Sequence, residues 1–115
     1  MSSSAAPRGL RKEERLDGLF HALSHRARRA LLSRLAQAPA MITELAQPFG
    51  MSLPAISRHI RVLEQAGLVV RSVEGRVHQC SLDALPLKTA DQWLSRYRSF
   101  WEQSLESLAR YAEKH

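Results

Sequence analysis

The sequence is short of nearly everything that would mark it as secreted, membrane-bound or catalytic. Among 115 residues there is one cysteine, Cys80, so no disulfide can close within the chain, and a lone thiol fits a reducing compartment. No strictly apolar run exceeds three residues, Leu68–Val70 being one of them, whereas a membrane-spanning helix needs about 20. Met1–Gly9 has no apolar block of the kind a secretory signal requires. There is no glycine-rich phosphate loop, no His-Glu-x-x-His pair and no Gly-x-Ser-x-Gly elbow, and a domain this small offers little concave volume for chemistry. The expectation is a cytoplasmic, non-catalytic protein that needs no cofactor and no metal.

Acidic residues are scarce as well. Lys and Arg number 17 against 11 Asp and Glu, a formal charge of +6. The excess is local: residues 1–82 hold 12 basic and 6 acidic residues, residues 83–115 hold 5 of each. A basic surface on a small domain suits a polyanion, nucleic acid first and an anionic membrane second, with plain solubility as the simplest account. Hydrophobic residues at 44% and charged residues at 24% are ordinary for a folded globular chain, and the length fits one domain.

Periodicity divides the chain into a Ser/Ala-rich tail over residues 1–10 and a domain over 11–115. In the tail region Arg8, Arg11, Lys12 and Arg15 lie within reach of phosphate but read as a solvated arm. Leu16, Leu19, Phe20 and Leu23 recur at helical spacing from about Arg11. Ser24 offers a cap for a second helix, whose apolar stripe is Ala27, Ala30, Leu31, Leu35 and Ala38 and which Pro39 stops. A short third helix spans about Ile42–Gln47, with Ile42, Leu45 and Ala46 inward. A tight connection containing Gly50 follows, and Ser52 caps a fourth helix that buries Leu53, Ile56, Ile60 and Leu63 before ending at Gly67. Leu68–Ser72 and Val77–Leu82, joined through Gly75, read as a β-hairpin. After a connector containing Pro86, Thr89 and Gln92 form a capping-box pair for a last helix over about 89–113.

Two helices joined by a glycine-containing turn and followed by a two-stranded ribbon make a winged helix-turn-helix, a mostly α fold with a β-hairpin wing (α+β). The fourth helix is the candidate reader, because a major groove about 12 Å wide admits one helix with one face buried and the other polar. With Ile56 at the centre of the buried face, Pro54, Arg58, Arg61 and Gln65 fall opposite, flanked by Ala55 and Ser57. Arg58 has the reach to pair with guanine, Ser52 and Ser57 with phosphate or base edges, and Ala55 with a thymine methyl. His59 lies nearer the buried side and suits packing or a phosphate contact. In the ribbon, Arg71, Arg76 and His78 suit backbone phosphates or a minor groove. The competing readings are a solvated helix face and an exposed hairpin.

The run Phe20-His21-Ala22-Leu23-Ser24-His25-Arg26-Ala27-Arg28-Arg29-Ala30-Leu31-Leu32, with Glu44-Leu45-Ala46, the stretch Ser52–Leu63 and Ala66-Gly67-Leu68-Val69, resembles the ArsR/SmtB family of bacterial transcriptional repressors. The resemblance covers roughly residues 16–110. It implies a homodimer, paired through the first and last helices, that sits on a palindromic operator in double-stranded DNA at the bacterial nucleoid and is released by an inducer. The family's metal ligands are missing. Met41–Ala46 has no cysteine, and the last helix reads Asp91-Gln92-Trp93 with no histidine before His115. The releasing signal, a small molecule or other inducer, is therefore expected to be something other than a metal. Cys80 reads as a packed thiol rather than a redox sensor, which would need a resolving partner. His21 and His25 stand at i, i+4, but a helix boundary near Ser24 breaks that register as a metal pair.

The last helix carries Trp93, Leu94, Tyr97, Phe100, Trp101, Leu105, Leu108 and Ala112 in one broad band, more apolar surface than so small a domain can cover. With Leu16, Leu19 and Phe20 of the first helix it is the expected dimer contact, which would set two readers one DNA turn, ~34 Å, apart. Two alternatives use the same band: a pocket for an aromatic inducer, and a docking face through which a winged-helix module binds another protein.

Overall fold

The computed structural model describes residues 8–114, with side chains from residue 11 onward. Most of the expected tail lies outside the described residues. Eight elements follow in order: α1 (Arg8–Leu23), α2 (Arg26–Leu35), β1 (Ala40–Met41), α3 (Ile42–Ala46), α4 (Leu53–Gln65), β2 (Val69–Glu74), β3 (Val77–Leu82) and α5 (Leu85–Lys114). The winged helix-turn-helix is present, with a strand the sequence pattern does not show. β1 pairs antiparallel with β3, Ala40 opposite Cys80, so the wing is the outer part of a three-stranded sheet in the order β1-β3-β2. Two residues are too short for any alternation to appear in the sequence.

Glycine closes three of the turns. Gly50 and Gly67 both have positive φ, at 62° and 78°. Each is followed by the paired hydrogen bonds of a left-handed helix stop, Met51 N–H to Ala46 O at 3.1 Å and Leu68 N–H to Leu63 O at 2.9 Å. The hairpin turns on Gly75 and Arg76, with the positive φ, 61°, at the first of the two, as a II′ turn requires.

The core lies where α1, α2, α3, α4 and the root of the sheet meet. Leu31, Leu45, Ile56, Ile60, Leu63, Leu68 and Cys80 are its largest fully buried side chains, and each leucine or isoleucine contributes about 1.5–3 kcal/mol by leaving water. Leu16 and Leu19 belong to this core, 8% and 2% exposed. Phe20, on the neighbouring side of α1, is 38% exposed.

Other boundaries differ too. α1 begins at Arg8, three residues before its expected start. His25, not Ser24, caps α2: its Nδ1 accepts the Ala27 N–H at 3.0 Å, while Ser24 Oγ donates back to His21 O at 2.6 Å. α2 ends four residues before Pro39, leaving Ala38 exposed. α5 starts at Leu85 rather than near Thr89, because the Asp83 carboxylate accepts the Leu85 N–H at 3.0 Å and Pro86 is tolerated in a first turn. Leu53, expected inside, is 45% exposed.

Candidate nucleic-acid interface

α4 has four sides, and the sequence around it explains each. Ser52 Oγ accepts the Ala55 N–H at 3.3 Å and Pro54 sits in the first turn, fixing where the helix begins. Ile56, Ile60 and Leu63 face the core. Pro54, Arg58, Arg61 and Gln65 are exposed on the outer side, where the 100° rotation per residue puts them. That face is free of acidic side chains.

The side toward the wing carries Leu53, Ser57 and Glu64. Glu64 Oε1 accepts from Arg71 of β2 at 2.7 Å, and Arg71 also approaches His78 Nδ1 of β3 at 3.4 Å. Arg71 is thus half-buried and committed to holding the wing against α4, with its Nε buried and unpartnered. Glu64, the last residue but one of α4, is the acidic partner of Arg71. His78 is half-buried on the same face of the sheet. Arg76 is exposed at the hairpin tip. Leu53, Ser57, Arg71, Arg76, Val77 and His78 together line a groove of about 310 Å³ between reader and wing.

The side toward α2 carries Ala55, His59 and Val62. His59 Nδ1 lies 3.2 Å from Arg28 Nη1. A guanidinium has no acceptor, so His59 accepts, which requires an unprotonated Nδ1. Burial first, then His25, Arg28 and Arg58, holds the His59 imidazole below its usual range. The His25 ring stands 4.5 Å from the His59 ring. His59 thus packs against Arg28 and His25, near the buried side of the helix.

Arg28, which joins α1 and α2 to His59 of α4, is the residue of this region that sequence reasoning missed. It is the one charged side chain among the described residues that is buried, 8% exposed. Its Nε donates to Ala22 O at 2.8 Å and its Nη2 to His21 O at 3.0 Å, while Arg29 donates to Leu23 O at 2.7 Å. The carbonyls that α1 leaves open at its end are thereby satisfied. A signal was available: Arg28 stands three and seven residues before Leu31 and Leu35, which places it on the inward stripe.

Cys80 is fully buried beside Ala40 and Arg71 in the sheet. Burial pushes its thiol up, against a downward pull from Arg71 and with a further push from Glu64, the state of a packed, unreactive cysteine. His21 ends α1 and His25 caps α2, so the two do not form a pair on one helix face. Among the described residues no three His, Cys, Asp or Glu side chains gather as metal ligands, and no helix is long and apolar enough to cross a membrane.

α5 leaves the domain behind. Trp93 is half-buried against the core and stacks edge-on to Phe20, with ring centroids 5.6 Å apart. Beyond it, Leu94, Tyr97, Phe100, Trp101, Leu105, Leu108 and Tyr111 are all exposed, Phe100 at 68%. The radius of gyration, 19.0 Å, exceeds the roughly 13 Å of a compact chain of this length because the helix projects.

A model of a helix-turn-helix domain matches residues 23–72. The HTH-type transcriptional regulator Rv2034 of Mycobacterium tuberculosis is 36% identical over 93 residues, 81% of this chain and 84% of that one. Transcriptional repressor SdpR of Bacillus subtilis is 27% identical over 71% of this chain and 91% of its own length. A crystal structure of an ArsR family transcriptional regulator superposes with a TM-score of 0.72 at 40% identity, over 78% of this chain and 93% of that one.

Proposed function

Because the chain belongs to the ArsR family of winged helix-turn-helix transcriptional regulators, we propose that it represses transcription by binding a palindromic DNA operator as a homodimer. The observation that carries this reading is the outer face of α4, where Arg58, Arg61 and Gln65 stand exposed along one side of the helix, next to a wing whose tip presents Arg76. Ser52, Pro54, Ala55 and Ser57 supply the short side chains that let the helix start approach base edges, Arg58 reads guanine, and Arg76 rests on phosphate. Arg71, His59 and His78 act by positioning.

The second copy covers α5. Phe20, Leu94, Tyr97, Phe100, Trp101, Leu105 and Leu108 form the contact, joined by Tyr111, in a C2 arrangement that pairs each patch with itself. Bound in this way, the protein works at the nucleoid and leaves the operator on a signal other than a metal.

Anisotropy titration against DNA from upstream of its own gene tests the reading. The expected result is tight binding that weakens steeply with salt. Arg58→Ala costs about 1–3 kcal/mol and relaxes sequence choice, whereas Arg76→Ala weakens all duplexes alike and lowers the salt slope by about one. Zinc or arsenite leaves the complex intact. Equal, weak binding to random duplex, with a heteromeric complex on pull-down, would support a protein-docking module instead.

A further inference from the structure

Leu53 opens the reader helix and is 45% exposed, although its spacing from Ile56 and Ile60 suggests burial. Rotation about the helix axis places it on the side of Ser57, and both line the groove toward the wing. Met41 and Val77 line the same groove, 37% and 48% exposed. A single exposed leucine needs no explanation. Three apolar side chains meeting in a groove that also holds Arg76 and His78, on the face turned to a polyanion, do need one.

The first turn of α4 narrows the choices. A reader of this class enters the major groove with its N-terminal residues nearest the base edges. Here those residues are Ser52, Leu53, Pro54 and Ala55, none with a charge or an amide. Ser52 Oγ is already engaged as the helix cap. Ala55 is half-buried on the side toward α2, and Pro54 is rigid and short. Leu53 is therefore the one side chain of that turn with both reach and exposure, and it can offer only apolar surface. In the major groove one base presents an apolar group, the 5-methyl of thymine.

We propose that Leu53 is a specificity-determining residue that reads one thymine methyl in each operator half-site. The role sequence reading gave to Ala55 passes to its longer neighbour. This rests on the DNA-binding reading above and adds a chemical identity to one position of the operator. Met41 and Val77 wall the groove beside Leu53, so the methyl packs against a surface from which water is excluded.

The test uses the full chain and the tightest duplex recovered from a randomised library. Each thymine is replaced in turn by deoxyuridine, which removes the methyl and leaves every hydrogen-bonding group in place. At one position per half-site the wild type should lose about fourfold in affinity, the worth of one methyl taken out of water. Leu53→Ala should bind the parent duplex more weakly and be indifferent to that replacement, and Leu53→Met should keep the sensitivity. Arg58→Ala should bind weakly yet retain the methyl effect. Tight binding with no sensitive thymine, or an undiminished methyl effect in Leu53→Ala, would overturn the proposal while leaving DNA recognition standing. Recovery of no preferred duplex would overturn DNA recognition and this proposal together. Leu53 is exposed, so folding of the variants is expected to match wild type, checked by circular dichroism.

Discussion

On its wing side α4 is tied by an ion pair, Glu64 to Arg71 at 2.7 Å, whose side chains are 29% and 21% exposed. On its α2 side it leans through His59 on Arg28, which is buried and also closes the end of α1. The first link joins one helix to a hairpin that projects into solvent. The second joins three helices at one guanidinium. A pair that keeps about a quarter of its surface in solvent is partly screened and contributes little, whereas a buried cation with a charge-assisted bond to the Ala22 carbonyl cannot be removed without leaving that carbonyl unpaired. The reader is thus fixed to the helical body and the wing is fastened to the reader, so the wing can adjust to DNA at small cost while the reader's angle is held.

The sharpest way to break that contrast is to cut each link. Arg28→Ala is expected to cost about 2–4 kcal/mol, because it orphans the buried Ala22 carbonyl, leaves His59 Nδ1 without its donor and opens a void. Glu64→Gln is expected to cost only about 0.5–1 kcal/mol, since the amide still accepts from Arg71 and only a screened charge is lost. Urea unfolding at one fixed protein concentration measures both, concentration being held so that the proposed self-association contributes equally to each variant. Equal costs would mean that the wing, not Arg28, sets the position of α4.

A smaller effect separates the links by salt. A double-mutant cycle on Glu64→Gln and Arg71→Met is expected to give a coupling of about 0.5–1 kcal/mol at low ionic strength that fades toward zero in 1 M salt. Arg71→Met also removes the buried, unpartnered Nε, which offsets part of the loss and keeps the single substitution mild. A coupling unchanged by salt would show that the pair is sealed from solvent and that the wing is as rigidly held as the reader.

The same contrast shows where sequence could and could not be read. The buried and outer faces of α4 were legible because helical rotation is fixed and the caps Ser52 and Gly67 are strong signals. So was the hairpin, with Gly75 at its turn. Chemistry that depends on what a face meets was not. Leu16 and Leu19 show an inward stripe, yet only the folded chain says which helices that stripe meets. Leu53 has core spacing, but at the first turn of α4 it projects past the core into the groove. Arg28 sits on an apolar stripe, and charge conceals its burial until the α1 carbonyls it serves are in place. β1 exists only through pairing with β3, a long-range contact that no local window contains.

The smallest expected effect concerns protons, and its sign follows from which form the fold prefers. His59 accepts from Arg28 only when Nδ1 is bare, and burial with His25, Arg28 and Arg58 around it lowers its pKa. His25 caps α2 through its own Nδ1. Between the lowered folded value and the unfolded value near 6.5 the unfolded chain binds more protons, so stability rises with pH there and is lost as pH falls through that window. The α2 flank should weaken below about pH 6.5. Urea unfolding from pH 7.5 to 5.5 reads this directly. His59→Asn, whose side-chain carbonyl can still accept from Arg28, should flatten the decline, and Glu64→Gln should leave its slope unchanged. If His59→Asn kept the full decline and Glu64→Gln removed it, the proton-sensitive support of the reader would lie under the wing.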